Sequence, residues 1–130
     1  MAVLLDTSIA IHLRDQTAGI ADQIAQLTSQ AFLSAISRVE LEGGVAAVPA
    51  LTALRRAKLD VLLVDLEVIE FTDEMAEDYG RIVLQSGYSR RKIIDRMIAA
   101  TAIVSGMTLI TTNGDDFADI DGLKLEVWEP

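Results

Sequence analysis

Val3-Leu4-Leu5-Asp6-Thr7-Ser8, almost at the start of the chain, sets out a strand, an acid and a helix start in six residues. The apolar run reads as a strand buried on both faces, and it stops abruptly at a carboxylate. Thr7 and Ser8 are both good helix N-caps, and Ile9, Ala10, Ile11 and Leu13 give the next helix apolar positions to set against a sheet. In open α/β sheets ligands bind outside the carboxyl ends of the strands, which places Asp6 at a site. Read locally, Asp6 is also an ordinary turn or helix cap. Other acids arriving at the same edge decide between the two.

Outward from that unit, the pattern predicts a first helix ending near residues 17–19 and a short polar helix over 20–29. A second buried strand follows at 31–35. Ser37 then reads as a helix N-cap with Glu40 three residues on, the capping-box spacing, so the local reading of Glu40 is a bond back to the Ser37 amide. Gly43 and Gly44 weaken that helix, and paired glycines in a helix suggest a close approach there. Pro49 breaks the chain before a helix over 50–63, with Arg55, Arg56 and Lys58 on its solvated side. A third strand over 67–71 reads as lying nearer an edge. Thr72 or Asp73 caps a helix to about Ser86, which Gly87 stops.

The next helix carries Asp95-Arg96-Met97-Ile98-Ala99-Ala100-Thr101-Ala102. Ile98, Ala99 and Ala102 stand three, four and seven residues beyond Asp95, so the acid heads the face that turns inward, and small alanines let that face lie close to a sheet. A carboxylate there wants a cation, either a divalent ion or a neighbouring Arg91 or Arg96. Gly106 closes the helix, 107–111 reads as a fourth strand, and 123–128 as a last one. Between them Asn113-Gly114 is a turn, with Asp115 and Asp116 in the loop.

At 130 residues the chain reads as one domain, 1–130, with no internal repeat or linker. Cysteine is absent, which removes disulfides, thiolate metal sites and a cysteine nucleophile. The N-terminus lacks the pattern of a secretory signal and apolar runs stop short of a membrane span, so a cytoplasmic protein without membrane association is expected. A core of Ala, Leu, Ile and Val is expected from 51% hydrophobic residues with only 5% aromatic. The formal charge of -9 argues against broad nucleic-acid binding. Yet Arg90, Arg91, Lys92 and Arg96 concentrate four of the eleven cations within seven residues, a patch suited to an anionic substrate.

Asp6, Glu40, Asp95 and the Asp115–Asp116 pair each fall at a strand end or in the first turns of a helix. If the sheet is parallel, those points converge on one rim. Clustered carboxylates repel one another unless a divalent cation neutralises them. An oxygen-only donor set with one histidine suits Mg²⁺ or Mn²⁺, ions that activate water for attack on a phosphodiester.

In these segments the chain resembles PIN-domain ribonucleases of the VapC type, the toxins of bacterial toxin-antitoxin pairs. The resemblance rests on Leu4-Leu5-Asp6-Thr7-Ser8, Ser37-Arg38-Val39-Glu40-Leu41, the helix from Asp95 to Ala102, and Leu109-Ile110-Thr111-Thr112-Asn113 leading to Asp116-Phe117. It implies a three-layer α/β/α fold around a central, mostly parallel sheet of four to five strands. It also implies endonucleolytic cleavage of RNA at an acid cluster holding Mg²⁺ or Mn²⁺. By position, Asp6, Glu40 and Asp95 match three acids of the family and Asp116 is the candidate for the fourth, with Asn113 and Asp115 as alternatives. Arg90, Arg91 and Arg96 would contact RNA phosphates. A VapB-type antitoxin and a homodimer are implied as partners, and transfer or ribosomal RNA stem-loops as targets.

Two other readings are open to the same residues. Phosphatases with an Asp at the end of the first strand need a second Asp two residues on, where this chain has Ser8. A noncatalytic binding module would use the acids only as helix caps. His12, the single histidine, leaves hydrolase triads poorly supplied and reads as an ordinary helix residue.

Overall fold

The structure, a computed structural model, describes residues 2–130. Five strands form one wholly parallel sheet in the order β3-β2-β1-β4-β5: β1 (Ala2–Leu5), β2 (Gln30–Ser34), β3 (Glu67–Ile69), β4 (Thr108–Thr111) and β5 (Leu125–Val127). The expectation of four to five strands, mostly parallel, thus becomes five, all parallel. The chain winds outward from β1 to β2 and β3, then returns to the other side of β1 for β4 and β5. That reversal leaves a crevice between β1 and β4 at their carboxyl ends, the place where such sheets bind ligands.

Successive residues of β1 face opposite layers. Val3 and Leu5 join Ile9, Ala10, Leu33, Leu41, Leu59 and Ile110 in one core, against α1 (Thr7–Arg14), α2 (Ala18–Ala25), α3 (Ala35–Ala47) and α4 (Thr52–Asp65). Leu4 joins Ile82, Ile98, Ala99, Ala102, Leu109 and Phe117 in the other, against α5 (Asp73–Ser86) and α6 (Ile93–Ser105). Leu4 and Leu5 are fully buried, as a central strand covered on both faces requires. The alanine face of α6 is buried as its spacing predicts, and Gly106 ends that helix in the left-handed conformation (φ 69°).

Local differences from the expected elements have local causes. Helix α1 stops at Arg14 and α2 begins at Ala18, because Gln16 turns the chain with a positive φ of 59°. The helix after β2 is capped by Ser34, whose hydroxyl accepts the Ile36 amide at 3.0 Å. It therefore starts before Ser37, and the expected Ser37–Glu40 capping box is absent. Nor do Gly43 and Gly44 admit a close neighbour: a Cβ at Gly43 would meet nothing within 4 Å, and at Gly44 only the Arg14 guanidinium at an ordinary 3.9 Å. The Gly44 carbonyl accepts from Arg55 at 2.8 Å, and Arg56 pairs with Glu42 and Asp60, so the basic side of α4 partly ties it to α3.

Candidate active site

Asp6 lies one residue beyond β1 and is itself the N-cap of α1, where Thr7 and Ser8 had been the expected caps. Its Oδ1 accepts the Thr7 amide at 2.8 Å. Its Oδ2 accepts from the Thr111 hydroxyl at 2.7 Å and the Ser8 hydroxyl at 3.1 Å. Its amide donates to the Ile110 carbonyl at 2.9 Å, which locks the end of β1 to β4. Capping and site membership are therefore one geometry: the carboxylate is buried, fixed on both oxygens and placed in the crevice. Burial pushes its carboxyl up from the usual range, while Thr111, Ser8 and the Thr7 amide pull it down and Asp116 adds repulsion.

Glu40, exposed on the second turn of α3, meets the first residue of α1. Thr7 Oγ1 lies 2.6 Å from Glu40 Oε1 and 2.9 Å from Ser37 Oγ. A hydroxyl carries one proton and a carboxylate only accepts, so Thr7 donates to Glu40 and Ser37 supplies the second contact. Asp95, in the first turn of α6, is half-buried. Its carboxyl is pushed up to about 6 by burial first and then by repulsion from Asp6, Asp116 and Glu40, with Lys92 opposing. The charges of three acids on three other elements thus bear on Asp95.

The loop after β4 separates the alternatives for the last acid. Asp116 closes a 3-10 turn, Gly114–Asp116, and its charge bears on both Asp6 and Asp95. Asp115 and Asn113 are exposed, and the Asn113 amide donates to Thr111 Oγ1 at 3.0 Å. The basic residues divide in the same way. Arg90 and Arg91 are exposed on a 3-10 turn leading into α6. Arg96, expected to contact phosphate, is only 2% exposed: one terminal nitrogen donates to the Gly87 carbonyl, the other faces Asp119 at 3.6 Å and its Nε is buried without a partner, so burial keeps the side chain from a phosphate. His12 bonds to Thr17 between α1 and α2, away from the acids.

The PIN-domain family model matches residues 3–123. The chain belongs to the PIN-domain family. It is 29% identical to Ribonuclease VapC2 of Rickettsia felis over 99% of each chain, and 32% identical to Ribonuclease VapC1 of the same organism over 96% of this chain and 95% of that one. Among solved structures, the crystal structure of VapBC2 from Rickettsia felis bound to a DNA fragment from their promoter contains a chain that superposes with a TM-score of 0.88. The two share 28% identity over 99% of this chain and 100% of that one. The VapC-type resemblance carried by the four sequence segments therefore holds along the whole PIN domain.

In this PIN domain, four hydroxyls hold the acids, Ser37 by way of Thr7, and none is expected to do so from the sequence, where Thr7, Ser8 and Ser37 read only as helix caps and Thr111 only as a strand end. Ser37 and Thr111 are fully buried. A threonine ending an otherwise apolar central strand is the one local sign of such a role, since a buried hydroxyl needs a partner. Among the described residues no three of His, Cys, Asp and Glu stand close enough together to cage an ion outright. The donor chemistry nonetheless fits a hard divalent cation. The donors are oxygens throughout, and the raised Asp95 carboxyl registers a surplus of negative charge that such an ion would neutralise.

Proposed function

We propose that this chain is a VapC-type endoribonuclease dependent on Mg²⁺ or Mn²⁺. What supports the reading is that Asp6, Glu40 and Asp116 all act through their charge on Asp95, whose carboxyl burial and these three acids push up to about 6. The ribonuclease names of the two Rickettsia relatives support the same chemistry. Asp6, Asp95 and Asp116 would hold the ion, with Glu40 completing the set or orienting the attacking water. The ion, when bound, supplies a Lewis acid that makes water nucleophilic near neutral pH and offsets charge on the phosphoryl group.

The chain's own residues do the positioning. Thr111, Ser8 and the Thr7 amide fix both oxygens of Asp6 and oppose the rise that burial imposes on its carboxyl, and Thr7 ties the Glu40 carboxylate to the start of α1. Arg90 and Arg91, exposed on the turn that leads into α6, would contact the backbone of a bound RNA, and their charges would offset the repulsion between that strand and an acidic protein. A VapB-type antitoxin is the expected inhibitor, supported by the likeness to a chain of the Rickettsia felis VapBC2 structure. A homodimer acting in the cytoplasm completes the proposal; among the described residues no helix is long and apolar enough to cross a membrane. The deciding experiment incubates pooled cellular RNA with the purified chain in Mn²⁺, in Mg²⁺ and in chelator, beside Asp95→Asn. Metal-dependent cutting lost in the variant is the expected result. Equal cutting by both proteins, or cutting in chelator, would overturn the assignment.

A further inference from the structure

Gly114 opens the turn that carries Asp116, and its backbone lies against β5. A Cβ built on it would stand 2.7 Å from Val127 Cγ2, with Val127 Cγ1 at 3.6 Å and Cβ at 3.7 Å. Side-chain carbons do not approach that closely, so the turn and the strand meet at a distance that only a residue without a side chain permits. Conformation does not demand the glycine. The positive-φ glycines are Gly87, Gly106 and Gly122, and Gly114 is not among them.

Val127 is 53% exposed, so what restrains its side chain is its place on the strand rather than packing around it. Val127 sits on β5 in register with Thr111, the strand end that bonds Asp6, and the Trp128 amide donates to the Thr111 carbonyl at 2.9 Å. A β-branched side chain on a strand is also restricted about χ1. On the other side of the turn, the Phe117 amide donates to the Gly114 carbonyl at 3.1 Å and the Asp116 amide to the Asn113 carbonyl at 3.1 Å, while the Phe117 ring is buried in the core. The turn is clamped between a core anchor and β5, and Asp116 is its last residue.

We infer that Gly114 is a positioning residue: the lack of a side chain there seats the turn against Val127 and so sets where the Asp116 carboxylate stands relative to Asp6 and Asp95. A methyl group at 114 lifts the turn off β5 two residues before the acid. Removing the opposing methyls from Val127 makes room for it again. The inference rests on the proposed place of Asp116 in the acid cluster.

The test is titration calorimetry of the full chain with Mn²⁺ alone, on wild type, Gly114→Ala, Gly114→Ala/Val127→Ala and Asp116→Asn, with a thermal melt of each. Gly114→Ala is expected to weaken Mn²⁺ binding about tenfold, the scale on which groups supporting a ligand act. The double variant is expected to recover to within about twofold of wild type. If Gly114→Ala fails to fold, a double variant that folds and binds normally carries the same conclusion. Wild-type binding by Gly114→Ala beside a defective Asp116→Asn overturns the positioning role alone, as does a double variant that stays weak. Wild-type binding by Asp116→Asn removes Asp116 from the cluster, and the inference with it.

Discussion

Asp6 is buried and Asp95 half-buried, and their surroundings treat the two carboxyls differently. Asp6 has three donors on its two oxygens, whereas burial and three carboxylates act on Asp95 with Lys92 in opposition. With its folded pKa near 6 and its unfolded value near 3.8, Asp95 binds more protons in the native state than in the unfolded chain between those values. Stability without a divalent ion should therefore fall as pH rises from about 4 to about 6 and stay reduced above that. Asp95→Asn should remove the penalty, raising metal-free stability at pH 7.5 by about 1 kcal/mol after allowance for solvent screening. At pH 4 it should change little; equal gains at both pH values in urea titrations would contradict the repulsion. Thr111→Val deletes the shortest bond to Asp6 while keeping a branched side chain in the strand. A hydrogen bond to a buried charged group is worth about 1.5–3 kcal/mol, and chemical denaturation should show a loss of that order.

Among the elements, α3 carries a plain stability reserve. Gly43 is exposed in the helix interior with open space where a Cβ would go. Gly43→Ala should stabilise by about 0.5–1 kcal/mol, read as a higher melting temperature with metal binding unchanged. The same helix marks how far the sequence could be read. Strands β1, β2 and β4, the capped helix α5 and the inward face of α6 follow from apolar periodicity and from glycine and threonine signals, all of them local. The role of Glu40 does not. Its capping-box spacing from Ser37 pointed to a local bond, but the helix starts earlier, at Ser34, and Glu40 instead meets Thr7, 33 residues back in the chain. Arg96 was misread for a related reason. On the sequence it belongs to a basic cluster beside an acid, and only the packing of α5 and α6 shows that it points inward to Gly87 and Asp119. The acids were legible because strand ends and helix starts are local features; the hydroxyls of Thr7, Ser37 and Thr111 that hold them were not, because their partners lie some 30 or 100 residues away.

For the whole molecule, charge and topology combine. A divalent ion that binds only the folded chain stabilises it by mass action, about 2.7 kcal/mol at a hundredfold excess over Kd, which for this size is roughly 10 °C. Mn²⁺ should raise the melting temperature on that scale, and Asp95→Asn should cut the gain; identical melting with ion and with chelator would remove the support for a site assembled by the fold. RNA affinity should carry a small salt dependence for a protein of net charge -9, concentrated in few contacts. Arg91→Ala should weaken binding and lower the slope of log affinity against log salt by about 1, and an unchanged slope would place the phosphate path elsewhere. The bond between the Asp6 amide and the Ile110 carbonyl also sets an order in time. The first acid leaves the ribosome at the outset, but the strand that fixes it and the turn bearing Asp116 are made more than a hundred residues later, an interval of roughly 5 to 20 s at about 5–20 residues per second. Nascent chains arrested before β4 have only unassembled pieces of the crevice. On the proposed function, a chain still being made would leave the message that encodes it uncut.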